Sequence, residues 1–335
     1  MTISVYIPLL VTVVLAVFAP RAALRSAPRP AAWSLVCAAV VTATGWLGSL
    51  ALLAFSGFAQ IPEVAEEGHW SVAALRTQDP VSLAVAAGSA LTLAAGLVSL
   101  GVAAVRQGRH LLWARRECGR VSADTELVVL DDDTPQAFAL PGAPGRIVVS
   151  RGMLRCLGDA ERAALLAHER AHLRDRHHLF QTVWRLTAAL NPLLRPLAEA
   201  GGFVLERWAD EEAAARIGSR KVVAHAVGRA ALASAGASRP AALAATGGAV
   251  PQRVRALLAP PPRRRPLPLV AGALLLTLCC ASLANAASDS EGLVDSAEQA
   301  QCAEDAGAPD AAWAVHPPQR SDACCHHGEA GGRGR

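Results

Sequence analysis

Four apolar stretches dominate the pattern of this chain: Ile3 to Ala19, Ala31 to Phe58, Val81 to Val105 and Leu267 to Ala287. None contains Asp, Glu, Lys or Arg. About 20 apolar residues cross the hydrocarbon core of a bilayer as a helix, so each stretch predicts a membrane span, the first being near the lower limit of length. The third is rich in Ala, Gly and Ser, which suits close helix packing in lipid. Between the third and fourth stretches the pattern shortens. Glu126 to Leu130, Gln136 to Leu140 and Arg146 to Ser150 read as strands, with turns at Asp131 to Asp133 and at Pro141-Gly142. Helical periodicity then takes over, first from an N-cap at Asp159 into Leu173, then over Leu179 to Leu190 until a break at Asn191-Pro192. Further helices are predicted from Phe203 to Ile217, stopped by Gly218, and from Val222 to Ala235. A Pro/Gly/Ala linker and a short helix, Arg253 to Leu258, lead to the last span. From Ser288 onward the chain is polar and reads as a disordered tail.

This pattern implies a mainly α integral membrane protein: four transmembrane helices with an inserted α+β module. Residues 1–105 hold three spans, 106–266 the module, 267–287 the fourth span and 288–335 the tail. Composition agrees, since 52% of the 335 residues are hydrophobic, mean hydropathy is +0.29, and the apolar residues come in blocks. The net charge of +4 is modest and the arginines flank the apolar blocks, so the bilayer is an expected partner and direct nucleic-acid binding is not.

Charge also sets an orientation. Arginines crowd Arg21 to Arg29, Arg106 to Arg120 and Arg263 to Arg265. The Phe58 to Pro80 loop is acidic, with Glu63, Glu66, Glu67 and Asp79, and the tail opens with Asp289, Glu291 and Asp295. The positive-inside rule then puts 106–266 in the cytoplasm and both termini outside, in a multi-pass protein of the plasma membrane. No Lys or Arg precedes Ile3, so the first stretch reads as a retained anchor. The eight cysteines make no C-x-x-C pair. In the tail, His316, Cys324, Cys325, His326 and His327 offer a soft-metal set, and Cys302 a disulfide partner; incidental thiols are the simpler reading.

Within the module, His168-Glu169-Arg170-Ala171-His172 is an H-E-x-x-H on a predicted helix. One helical turn stacks His168 over His172, where two imidazoles can hold one metal ion, with Glu169 beside them to take a proton from water. An ordinary polar helix face can also show this pattern, so a third ligand decides. Catalytic zinc takes three protein ligands and leaves one position open. Glu206 is the candidate, sharing a helix face with Asp210 four residues on. Asp210 would accept a hydrogen bond from the free ring nitrogen of a ligating histidine, and Asp175 is placed on the histidine face for a similar role. Spacing alone leaves Glu206 open to being a surface acid in a run that continues through Glu211 and Glu212.

The order H-E-x-x-H, Asn-Pro break, then E-x-x-x-D before a small-residue helix resembles the membrane-embedded gluzincin metallopeptidases. Gln136-Ala137-Phe138-Ala139-Leu140-Pro141-Gly142 resembles the N-A-F-A strand of the CAAX prenyl protease and HtpX-like family, with Gln in place of the usual Asn. Three spans, a cytoplasmic zinc domain, a fourth span and an outside tail look like the BlaR/MecR antirepressor-type family. So do Asn191-Pro192-Leu193 and Arg253-Val254-Arg255-Ala256-Leu257-Leu258. The resemblance covers Arg106 to Leu258. It implies a zincin-type domain with one zinc ion per chain held by His168, His172 and Glu206, and Glu169 as catalytic base. It also implies a strand that takes the substrate by strand addition, either Gln136 to Leu140, with Gln136, Ala137 and Phe138, or Arg146 to Ser150. Antibiotic sensing is not implied, because the tail is short for a sensor domain and contains no Lys.

The expected function is that of a zinc endopeptidase cutting a cytoplasmic or membrane protein, in signalling with a transcriptional repressor as partner. A quality-control protease of membrane proteins is one rival. A non-catalytic zinc-binding membrane scaffold is another, and the intact Glu169 argues against it.

Overall fold

The computed structural model describes residues 3–72, 75, 82–120, 125–237, 249–261 and 266–307. A 3-10 turn, Ile3–Tyr6, leads into α1 (Ile7–Leu24), followed by α2 (Pro28–Phe58) and the short α3 (Pro62–Gly68). Each of these three helices has proline in its first turn, where the missing amide would find no helical partner anyway. Helix α4 (Leu83–Arg120) carries the third apolar stretch and continues unbroken through the arginine-rich segment. Helix α11 (Pro266–Gly307) carries the fourth. Among the described residues, four helices are long and apolar enough to cross a membrane, and they coincide with the four apolar stretches.

Between α4 and α11 lie three short strands, β1 (Leu127–Leu130), β2 (Ala137–Leu140) and β3 (Arg146–Ser150). The sheet order is β1-β3-β2, with β3 parallel to β1 and antiparallel to β2. Strand β3 is buried along its whole length, while β2 lies at an edge with one side unpaired by any described strand. Six helices follow: α5 (Arg151–Cys156), α6 (Asp159–Arg174), α7 (His177–Leu190), α8 (Arg195–Ile217), α9 (Arg220–Ala237) and α10 (Ala249–Leu258).

The N-cap of α6 is Gly158, one residue before the expected Asp159. The carboxylate of Glu161 reaches back to accept from the Gly158 amide at 2.9 Å, so that donor is satisfied one position early. Helix α8 starts at Arg195, well before Phe203, with Pro196 in its first turn, and it ends as expected at Gly218, whose φ is +78°.

Of the expected disordered tail, residues 288–307 are helical, because α11 continues to Gly307, and residues 308–335 lie outside the described residues. The Ala-, Glu- and Gln-rich sequence of 288–307 has good helix propensity, and it finds a packing partner. Ala297 is buried with Ala59, Leu75 and Trp70, and its carbonyl accepts from the Ser71 amide at 3.1 Å. His316, Cys324, Cys325, His326 and His327 lie outside the described residues, as do Val81, the linker 238–248 and Arg263 to Arg265.

One core joins the spans to the helices between them. Leu15 of α1, Leu35 of α2 and Cys279 of α11 pack with Phe180 and Trp184 of α7 and with Leu197, Val204, Leu205 and Trp208 of α8. Gly96, midway along the apolar part of α4, meets the Leu190 carbonyl so closely that a Cβ would lie 2.8 Å from it. At the other end of the hairpin, Arg207 donates to the Leu24 carbonyl at 3.0 Å. The α7–α8 hairpin therefore runs back among the spans, although it carries arginines at positions 185 and 195 and reads as part of the polar module in sequence.

Candidate metal centre

Helix α6 brings His168 and His172 together, and their Nε2 atoms stand 3.1 Å apart. The third donor comes from α8. Ala164 and Ala167 of α6 pack against Ala213 and Ala214 of α8, and side chains this small let the two helices approach closely. The approach sets the Glu206 carboxylate 3.5 Å from the Nε2 of His168 and 3.6 Å from that of His172. His168, His172 and Glu206 thus converge on one point, all three donor atoms lying within 4.8 Å of one another.

This trio fits a zinc-sized ion. Donors at zinc–ligand distances in a tetrahedral set stand roughly 3.3–3.5 Å apart. The electrostatics point the same way. Burial alone would lower the His168 pKa, but the facing carboxylates of Asp210 and Glu206 raise it to about 10. Burial and the neighbouring His168 take His172 down to about 4. Burial would raise Glu206, but His168 and Arg253 hold it well below the usual carboxylate range.

Around the trio, the expected partner Asp210 is in place. It is 1% exposed, and its Oδ1 lies 3.0 Å from Nδ1 of His168. Asp175 caps α6 with its amide still bonded to the Ala171 carbonyl, but its carboxylate takes the Arg174 guanidinium at 2.8 Å rather than a histidine.

His177 takes the place foreseen for Asp175. Arg176, in the left-handed region at φ +52°, turns the chain back so that Nδ1 of His177 comes within 2.9 Å of Nδ1 of His172. The His177 ring also rests on Trp208, centroid to centroid 4.7 Å, and burial with His172 beside it lowers its pKa to about 3. Neutral at physiological pH, it can accept from His172 and fix that ring's tautomer.

Arg253 of α10 is the second residue whose role sequence reasoning missed. Its guanidinium grips Asp210 at 2.8 and 2.7 Å and reaches Glu206 at 2.9 Å. Nothing in local spacing could pair it with acids some forty residues earlier; its only signal was a place in a segment singled out by resemblance.

Glu169 is 8% exposed, next to the trio and under β2. Burial raises its pKa, against the pull of His168 and of a hydrogen bond from the Ala139 amide. The β2 edge therefore faces the site. A cleft opens there in two lobes that share His168, Glu169, Glu206 and Ala137. One lobe, about 300 Å³, meets Phe138, Pro141, His178 and Gln181. The other, about 270 Å³, is walled by Leu165, Ala226, Ala230 and Val250, with Arg253 at its side. Gln136, the remaining residue of the expected substrate strand, sits just before β2, its side chain donating to Asp132 at 3.0 Å.

Residues 106–250, which contain the whole trio, match the description of peptidase family M48. A stretch of 72 residues is 39% identical to a protease HtpX homolog of Acidiphilium cryptum (strain JF-5), covering 21% of this chain and 25% of that protein. A further match, 51% identical over 53 residues, is to the mitochondrial metalloendopeptidase OMA1 of Schizosaccharomyces pombe and covers 16% of this chain and 15% of that protein. The chain thus matches a quarter or less of the length of these relatives. No solved structure matches it. M48 peptidases are metal-dependent, and the His-His-Glu trio, which lies inside the matched residues, is a possible metal site.

Proposed function

We propose that the chain is an integral membrane zinc endopeptidase of gluzincin type, with His168, His172 and Glu206 as ligands and Glu169 as general base. The observation that carries this reading is the convergence of the three donors from two helices beside a buried carboxylate. Zinc bound there would supply Lewis acidity to the scissile carbonyl. Glu169, made more basic by burial, takes a proton from the attacking water and hands it to the leaving amine. Arg253 keeps Glu206 and Asp210 ionised and fixed. The free edge of β2, at Ala137 and Phe138, holds the substrate backbone in extended form by strand addition.

Arginine asymmetry supports a cytoplasmic active site with both termini outside the plasma membrane. The order of spans and module resembles the BlaR/MecR antirepressor type, which favours a cytoplasmic repressor in signalling as substrate. The core shared by α8 and the spans supports control of the site from within the membrane. Trapping substrates in cells with Glu169→Gln and identifying them by mass spectrometry tests the reading. Capture of a cytoplasmic regulator supports it, while a purified, zinc-loaded wild type that cleaves none of the captured proteins refutes it. Glu206→Ala tests the ligand set: purified protein should lose most of its zinc, and full occupancy would mean that another acid is the ligand.

A further inference from the structure

We propose that the cleft between α1, α2 and α11 binds one anionic phospholipid, with an acyl chain between the helices and the phosphate at the α1–α2 turn. At one end these helices are tightly joined. Ser282 donates to the Ser4 carbonyl at 2.7 Å. A Cβ on Gly45 would meet the Cys279 sulfur at 2.8 Å, and one on Gly48 would meet Leu283 at 2.8 Å. Toward the α1–α2 turn the helices part, leaving a groove of about 380 Å³ lined by Leu15, Phe18, Trp33, Leu35, Gly272 and Leu276. Its hydroxyls are already engaged: Ser26 and Ser34 each donate to a carbonyl of their own helix at 2.9 Å. An apolar gap of this kind does not hold water. Phe18 is 64% exposed and Trp33 53%, so the groove opens sideways to the surrounding lipid.

The mouth of the groove is cationic. Arg21, Arg25 and Arg29 occupy the turn, and no acidic residue precedes Glu63 in the sequence. Arg21 donates to its own helix at the Val17 carbonyl, and Arg29 lies 5.6 Å over the Trp208 ring. None of the three forms an ion pair among the described residues. An apolar slot under unneutralised guanidiniums at a membrane boundary matches a lipid whose headgroup carries net negative charge. A zwitterionic lipid would fill the slot without answering the charge.

The test uses the full chain in phosphatidylcholine vesicles that contain either phosphatidylglycerol or phosphatidylcholine with brominated acyl chains. Bromine quenches indoles it touches, and the difference from Trp33→Phe isolates the signal of Trp33. Brominated phosphatidylglycerol should quench Trp33 at a several-fold lower fraction of lipid than brominated phosphatidylcholine. Arg25→Gln should raise the fraction needed by roughly fivefold, the worth of one basic residue at an anionic surface. Gly272→Leu, at a position where an added Cβ meets nothing within 4 Å, should fill the groove and remove the preference. Equal quenching by the two lipids in wild type, or an unchanged preference in folded Gly272→Leu, overturns the proposal. Should Gly272→Leu not fold, wild type against Arg25→Gln decides alone.

Discussion

Arg253 holds Asp210 in a two-pronged grip, Nε to Oδ2 at 2.8 Å and Nη2 to Oδ1 at 2.7 Å, while a third nitrogen reaches Glu206. One guanidinium from α10 thereby fixes a proposed ligand and the carboxylate facing His168. Arg253→Gln should weaken zinc binding by roughly 10–100-fold, the usual cost of removing a partner of a metal ligand. It should also destabilise the metal-free protein by about 3 kcal/mol, since buried Asp210 and half-buried Glu206 lose their counter-charge. Arg253→Lys should recover only part of either, lacking the planar fork. Chelator competition and thermal unfolding read the two effects.

His177 should matter to the metal without touching it. His177→Leu removes the atom 2.9 Å from His172 and should speed zinc release by roughly tenfold or more. His177→Asn offers a carbonyl oxygen in its place and should restore much of the loss. Zinc release as slow in His177→Leu as in wild type would show that packing alone orients His172.

Glu169→Gln separates chemistry from binding. Zinc should stay bound while cleavage falls by roughly two to four orders of magnitude, measured as zinc content and peptide turnover. In the metal-free protein, burial raises the Glu169 pKa above 4.5. The same displacement affects stability. A carboxyl whose folded pKa is raised binds its proton more tightly folded than unfolded, so stability falls as pH rises from 4.5 through the folded value. Metal-free Glu169→Gln should therefore melt higher than metal-free wild type at neutral pH, with the gap closing toward pH 4.5.

Orientation can be read directly. Reporter fusions after Arg120, at the end of α4, and after Asp289, within α11, should report opposite sides of the membrane. The same side for both would remove the basis for a cytoplasmic site.

Local pattern carried much of this. The four spans follow from charge-free apolar runs, the three strands from short apolar segments bounded by turns, and the pairing of His168 with His172 from one turn of helix. Each depends on residues close in sequence, so spacing is enough. Asp175 shows the limit, because spacing places it at the end of α6 while the neighbouring Arg174 guanidinium takes its carboxylate.

What tertiary structure decided is how separate segments meet. Glu206 was one acid among several until alanine contacts between α6 and α8 aimed it at the two histidines. His177 reached His172 through a left-handed turn at Arg176, and Arg253 reached Asp210 and Glu206 from a helix beyond a linker. The α7–α8 hairpin packs among the spans because Gly96 and Gly201 leave room for the Leu190 carbonyl and the Trp184 ring, a matter of shape that hydropathy does not register. Sequence fixes the period of each element and the chemistry it carries. Which faces touch depends on the volume left between elements, and only the packed chain sets that.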